Sequence, residues 1–145
     1  MEEGLLRSIL DDNQIDPSKF AADPSKFLKI ECFHFNLPIH PKFNRFSNIE
    51  ELRIIEQDVV DLNWLEDLPH ISTLIIFHTQ LKDVSGLKYA PLLKKLVLEK
   101  GKLAFFPDIS NLKQIEYLSV SNNLLKEIPV FPKTNTLKTL DISAC

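Results

Sequence analysis

The sequence predicts an α/β solenoid: a right-handed coil of short parallel strands on a concave face, 3₁₀ or irregular returns on the convex face, and a short helical N-terminal cap. Two observations predict it. The pattern set by Leu93, Leu96, Leu98, Gly101 and Leu103 recurs at a step of 22 residues in both directions. It returns as Ile71, Leu74, Ile76, Thr79, Leu81 and as Ile49, Leu52, Ile54, Gln57, Val59 on one side. On the other side it reads Ile115, Leu118, Val120, Asn123, Leu125 and then Leu137, Leu140, Ile142, Cys145. A degraded first copy is Phe27, Ile30, Cys32, Phe35, Leu37. The second observation is that the rest of each unit repeats too, at positions 14, 17 and 20: Leu62, Leu65, Leu68, then Val84, Leu87, Ala90, then Phe106, Ile109, Leu112. The first unit supplies His40, Phe43, Phe46 and the fifth Ile128, Phe131, Thr134. Spacing by three suits a 3₁₀ or loosely helical return. No unit of this size can bury its own apolar face, so neighbours must stack into one continuous core.

Residues 1–26 fall outside the repeat and are expected to form the cap. Leu5, Leu6, Ile9 and Leu10 make an apolar stripe at helical spacing, with Glu2 and Glu3 near the positive end of the helix dipole. The chain then reads Asp16-Pro-Ser-Lys-Phe20 and again Asp23-Pro-Ser-Lys-Phe27. Asp followed by Pro is a favourable pair for starting a helical turn. The duplicated phrase reads either as a docking peptide or as part of the cap. A solenoid needs a polar-faced end unit, which favours the cap.

The repeat then occupies residues 27–145 as about six units of 22 residues, the last incomplete. Strands are expected around Ile30, Leu52, Leu74, Leu96, Leu118 and Leu140. The sequence stops at the ninth position of a unit, directly after the apolar strand of Leu137, Leu140 and Ile142. That is expected of a fragment of a longer solenoid, or of an end covered by another chain. Left bare, such an edge invites self-association.

This pattern, L-x-x-L-x-L with Asn or Cys expected at the ninth position, is the leucine-rich-repeat signature. The period and the phrase Leu81-Lys-Asp-Val-Ser-Gly-Leu87 resemble the class found in a regulatory subunit of protein phosphatase 1 and in bacterial internalins. The phrase Leu125-Lys-Glu-Ile-Pro129 is similar to other members of comparable period. The resemblance covers residues 27–145 and implies the fold; it does not name a partner, because unrelated functions share such scaffolds. Regulation of a phosphatase or another enzyme is implied only by this resemblance. One departure concerns the ninth-position Asn, which in the family ties down the turn backbone and survives here only at Asn123. Gly101 has no side chain for the task and Phe35 has no polar group. Irregular turns are expected after both.

Composition bounds the function. The chain is 44% hydrophobic and 26% charged, as globular domains are. A net charge of −3 gives no electrostatic footprint for nucleic acid. No apolar run approaches the roughly 20 residues needed to span a bilayer. Met1-Glu-Glu-Gly lacks the positive flank and apolar core of a signal peptide. The repeat register puts Cys32 and Cys145 five strands apart, about 24 Å, far beyond the ~7 Å reach of a disulfide. Two unpaired thiols suit a reducing compartment, and a cytoplasmic protein is expected.

No catalytic set and no cofactor is expected. The serine, histidine and acidic residues are scattered without a glycine-rich nucleophile turn, and three glycines cannot build a phosphate loop. Position 8 of successive units reads His34, Glu56, His78, Lys100, so two histidines flank a glutamate at steps of ~4.8 Å. Those residue types can ligate zinc. Lys100 next in the column favours the other reading, a solvated rim with a Glu–His hydrogen bond. Trp64 is either an interface anchor or a packing residue of the convex side.

The face that can bind is set by the alternation of side chains along a strand. With positions 4 and 6 inward, positions 3, 5 and 7 line the concave face. There the C-terminal units are polar, but Phe33, Ile55, Ile75, Phe77 and Val97 form an apolar group edged by Arg53, Glu99 and Tyr117, with Glu56 and His78 at its rim. Contiguous apolar surface with a polar rim marks an interaction site. The expected function is a protein-interaction scaffold that binds a protein partner here and catalyses nothing itself. The rival expectation is that the N-terminal segment folds across this face and buries it.

Overall fold

The computed structural model describes residues 1–127, 130 and 136–145. Among the described residues, six parallel strands form one sheet in chain order: β1 Lys29–Cys32, β2 Glu51–Ile55, β3 Thr73–Phe77, β4 Lys95–Glu99, β5 Tyr117–Ser119 and β6 Thr139–Asp141. Every pairing keeps the 22-residue offset, so Ile30, Leu52, Leu74, Leu96, Leu118 and Leu140 stand in one row across the sheet. From β1 to β5 the inward rows are close to fully buried, with Leu52, Ile54, Leu74 and Leu96 at 0% exposure. The repeat spacing has thus become a ladder of identical apolar layers, each covered by the next.

The returns close the core from the opposite side. Leu62, Leu65 and Leu68 are buried on and around the 3₁₀ turn Asn63–Asp67, and Val84, Leu87 and Ala90 on and around Ser85–Tyr89. Each turn opens with an aspartate whose carboxylate accepts a backbone N–H two residues on, Asp61 from Asn63 and Asp83 from Ser85. The backbone and hydroxyl of Ser85 hold the Asp83 carboxyl below its usual range. In the fourth unit Ile109 and Leu112 are buried and Phe106 half-buried; in the first, Phe43 and Phe46 are buried and His40 is exposed. Ile128, Phe131 and Thr134 of the fifth unit lie outside the described residues. Trp64 turns out to be a packing residue: it is 5% exposed. Its ring meets Phe43 edge-on at 5.2 Å, and its Nε1–H donates to the Asp61 carbonyl at 2.8 Å.

The chain leaves β2 to β6 by the same device, which β1 does not share. Glu56, His78, Lys100, Asn122 and Ala144, all at position 8, adopt φ between 52° and 57°. Their N–H groups, as far as Asn122, donate to the carbonyl at position 7 of the following unit. In two units the next residue then braces the turn of the preceding unit. Asn123 Nδ2 donates to the carbonyls of Leu98, Val120 and Ser121, and its Oδ1 accepts the Leu103 N–H. Gln57 does the same work one methylene further out, donating to the Phe33 and Phe35 carbonyls and accepting the Leu37 N–H. The irregular turn expected at Gly101 is not found, since Lys100 takes the shared conformation, whereas the turn at Phe35 does depart from the rest: His34 has no positive φ, and its N–H goes to Asp12 instead of the next unit. A turn lacking its own polar side chain is tied down by the next unit's amide, Phe35 by Gln57 and Gly101 by Asn123. Asn123→Ala would leave the buried Leu98 carbonyl and Leu103 N–H without this partner. It should cost about 1–3 kcal/mol, seen as a lowered urea midpoint; an unchanged midpoint would mean the turn holds itself.

The N-terminal helices α1 (Glu3–Asp12) and α2 (Pro17–Ala22) cover the β1 end. Leu6, Ile9 and Leu10 of α1 are buried, as is Phe20 of α2, whose ring lies 5.8 Å from Phe27 and 5.0 Å from Phe46. Both copies of the Asp-Pro-Ser phrase start helical turns, with Asp16 and Asp23 accepting from the backbone of Ser18 and Ser25. The outer edge of β1 is closed by two side chains rather than by a strand. Asn13 both donates to the Glu31 carbonyl and accepts the Glu31 N–H, each within 2.8 Å. Asp12 accepts the N–H of Phe33 at 2.8 Å. At the other end Leu140 of β6 is 41% exposed, whereas its register partner Leu118 is fully buried.

Candidate functional site

The concave face is assembled by register alone. Arg53, Ile75, Val97, Ser119 and Asp141 form one row across β2 to β6, and Ile55, Phe77 and Glu99 form the next. Glu51, Thr73, Lys95, Tyr117 and Thr139 form the third. Phe33 follows β1 directly. The central residues Ile55, Ile75 and Phe77 are half-buried, Val97 is 8% exposed, and Arg53 is exposed. The hydrogen bonds that hold the N-terminal helices to the sheet go to the edge of β1, not to this face.

Polar groups border the apolar centre. Arg53 Nε donates to Glu51 at 3.1 Å, satisfying both on the sheet. Lys100 Nζ stands 5.0 Å over the Phe77 ring, and Lys95 Nζ 5.1 Å over the Tyr117 ring. A cation over an aromatic face is attracted by the ring quadrupole. Glu99 accepts the hydroxyl of Ser119. Ser119 and Ser121, expected as solvated concave positions, are buried at 0% and 3% exposure. Alternation decides which way a side chain points, not how deep it lies, and a serine hydroxyl reaches less far than the carboxylate beside it.

Among the described residues the position-8 column is not gathered into a cluster that could hold a metal ion. His34 is held by Asp12, with Nδ1 2.7 Å from the carboxylate, while His78 Nδ1 lies 3.9 Å from Glu56. The physical reason is the Asp12 that arrives with the cap and takes His34 away from its column. Among the described residues no three histidine, cysteine or acidic side chains are placed to hold a metal ion.

Neither a protein-family model nor a curated protein matches the sequence. Solved structures do match. An internalin from Listeria monocytogenes superposes with a TM-score of 0.59 at 16% identity, over 89% of this chain and 44% of that one. The fold is a leucine-rich-repeat solenoid. At that identity the likeness is one of fold, and this chain spans less than half the length of the internalin. Among the described residues no helix is long and apolar enough to cross a membrane. Cys32 is buried and Cys145 exposed, and neither is in a disulfide. Burial, with the Asp12 and Glu31 carboxylates nearby, pushes the Cys32 thiol up, so it stays protonated and inert.

Proposed function

We propose that this chain is a non-catalytic interaction scaffold that binds a protein partner through its concave face, with Phe77 as the anchor. The observation that carries the reading is the partly exposed group of Ile55, Ile75 and Phe77 in the middle of a sheet face whose rim is polar. A solvated face gains nothing from three large apolar side chains in contact positions. Covering what remains exposed of each under a partner would contribute a fraction of the roughly 1.5–3 kcal/mol that full burial of such a side chain gives. Phe33, Val97 and Tyr117 extend the same surface, and Arg53 and Glu99 form its rim.

Phe77→Asp is expected to abolish partner retention. The test is a quantitative pull-down in which the wild-type chain and the mutant are compared protein by protein. Proteins retained by wild type and lost by Phe77→Asp support the reading; an identical set on both moves the binding surface elsewhere. The identity of the retained protein also separates a plain scaffold from a regulatory subunit of a phosphatase or other enzyme. Two thiols outside any disulfide support a reducing, cytoplasmic setting.

A second contact is proposed at β6, on the strength of Leu140 at 41% exposure beside an edge with no further strand among the described residues. Pairing with a second copy there would raise the sedimentation coefficient with concentration. A strict monomer, with Leu140 amide strongly protected from exchange, would remove the proposal.

A further inference from the structure

The apolar group is a stripe with a direction. Counting from β1, it steps from position 7 at Phe33 and Ile55, through Phe77 and Ile75, to position 5 at Val97 and position 3 at Tyr117. It therefore crosses the sheet obliquely, over a length of about 23 Å. What can lie on such a stripe is limited by backbone chemistry. Strands β2 to β4 are paired on both sides, so their N–H and C=O groups are committed to the ladder. The side chains of Ile55, Ile75, Phe77 and Val97 offer no donor or acceptor. An extended peptide pressed on this surface would bury N–H and C=O groups against nothing that can pair them, at about 1–3 kcal/mol for each. A helix brings its backbone already paired.

The charges add a second constraint. Where the stripe crosses β4, Lys95 and Lys100 flank Val97, one toward each end of the strand, and both are exposed. Among the described residues neither lies in an ion pair; each rests over an aromatic ring instead. At the β2 end, by contrast, Arg53 is matched by Glu51. The cations nearest Val97 and Phe77 are thus outside any ion pair; Lys29 at the β1 edge is so too, but it lies away from the Phe77 centre, and Glu99, between the two lysines, is engaged by the Ser119 hydroxyl.

We infer that the partner presents an amphipathic helix of about 15 residues, its apolar stripe laid obliquely across Ile55, Phe77, Ile75 and Val97 and its acidic flanks facing Lys95 and Lys100. The inference rests on the concave-face reading above and adds the partner's secondary structure and charge.

The test selects binders to the intact chain from two displayed libraries of equal diversity, one of single stabilised helices and one of flexible linear peptides. Selected binders are then measured by fluorescence anisotropy against wild type, Phe77→Asp and the double variant Lys95→Glu/Lys100→Glu. The helix library is expected to dominate, with Glu or Asp enriched beside an apolar stripe. The double variant, altered only at exposed side chains, should weaken those binders about tenfold or more, and circular dichroism checks that both variants remain folded. Linear binders that depend on Phe77 would overturn the helix while leaving the concave site standing. Helical binders indifferent to the double variant would overturn the charge pairing. Self-association of the chain that Phe77→Asp abolishes would put a second copy on the face and overturn the inference. Absence of any Phe77-dependent binder from both libraries would overturn this inference and the site together.

Discussion

Leu96→Ala is expected to lower unfolding stability by about 2–5 kcal/mol, whereas Lys94→Ala, two residues away, should change it by under about 0.5 kcal/mol. Leu96 is fully buried and stands in register between Leu74 and Leu118, so truncating it opens a cavity between two apolar layers. Lys94 is exposed, and only its backbone is engaged, its N–H donating to the Ser72 carbonyl. Alanine retains that backbone bond. Urea denaturation distinguishes the two by midpoint. Similar midpoints would contradict the 22-residue register.

The second large effect is expected at Gly86. A Cβ built there would lie 2.3 Å from the Leu62 carbonyl oxygen and 2.8 Å from the Asn63 nitrogen, both backbone atoms of the preceding return. Glycine is needed here for close approach of two successive 3₁₀ turns, not for a left-handed conformation. Gly86→Ala must push the returns apart, and backbone cannot swing aside as a side-chain tip can. A loss of about 3 kcal/mol is expected, at the upper end of overpacking costs. Gly4→Ala in α1 is the control: its Cβ would meet nothing within 4 Å. Alanine there should be neutral or stabilise by up to about 1 kcal/mol. Equal melting temperatures for Gly86→Ala and wild type would mean the returns are not in contact at this point.

The parts of this molecule legible in the sequence are those governed by a period. Strand row, buried face and return positions all follow from a 22-residue step and a two-residue alternation, because each layer repeats the geometry of the last. Legibility ends where a contact is made once. The bracket of Asp12 and Asn13 on β1 joins residues 18 to 22 positions apart through side chain and backbone, and no local pattern announces it. Gln57 was hidden for another reason. The motif names Asn, but the geometry asks for an amide that reaches the preceding turn, and a longer amide reaches it too. The same single contact undid the position-8 histidine column, since Asp12 claims His34. On the candidate face, alternation identified the apolar stripe but not the depth of Ser119 and Ser121, which depends on the size of the side chains around them.

Adjacent residues on β3 offer the most direct measurement of the central claim. Ile76 is 1% exposed and points into the core, while Phe77 is half-buried on the concave face. Phe77→Asp and Ile76→Asp should therefore fail in opposite ways, and both are read by melting temperature and by retention of the wild-type partner in the pull-down. Ile76→Asp is expected to unfold the chain, because a charge is forced among apolar layers. Phe77→Asp is expected to melt within a few degrees of wild type and no longer to retain the partner. A Phe77→Asp chain that unfolds like Ile76→Asp, or one that keeps the partner, would contradict that claim.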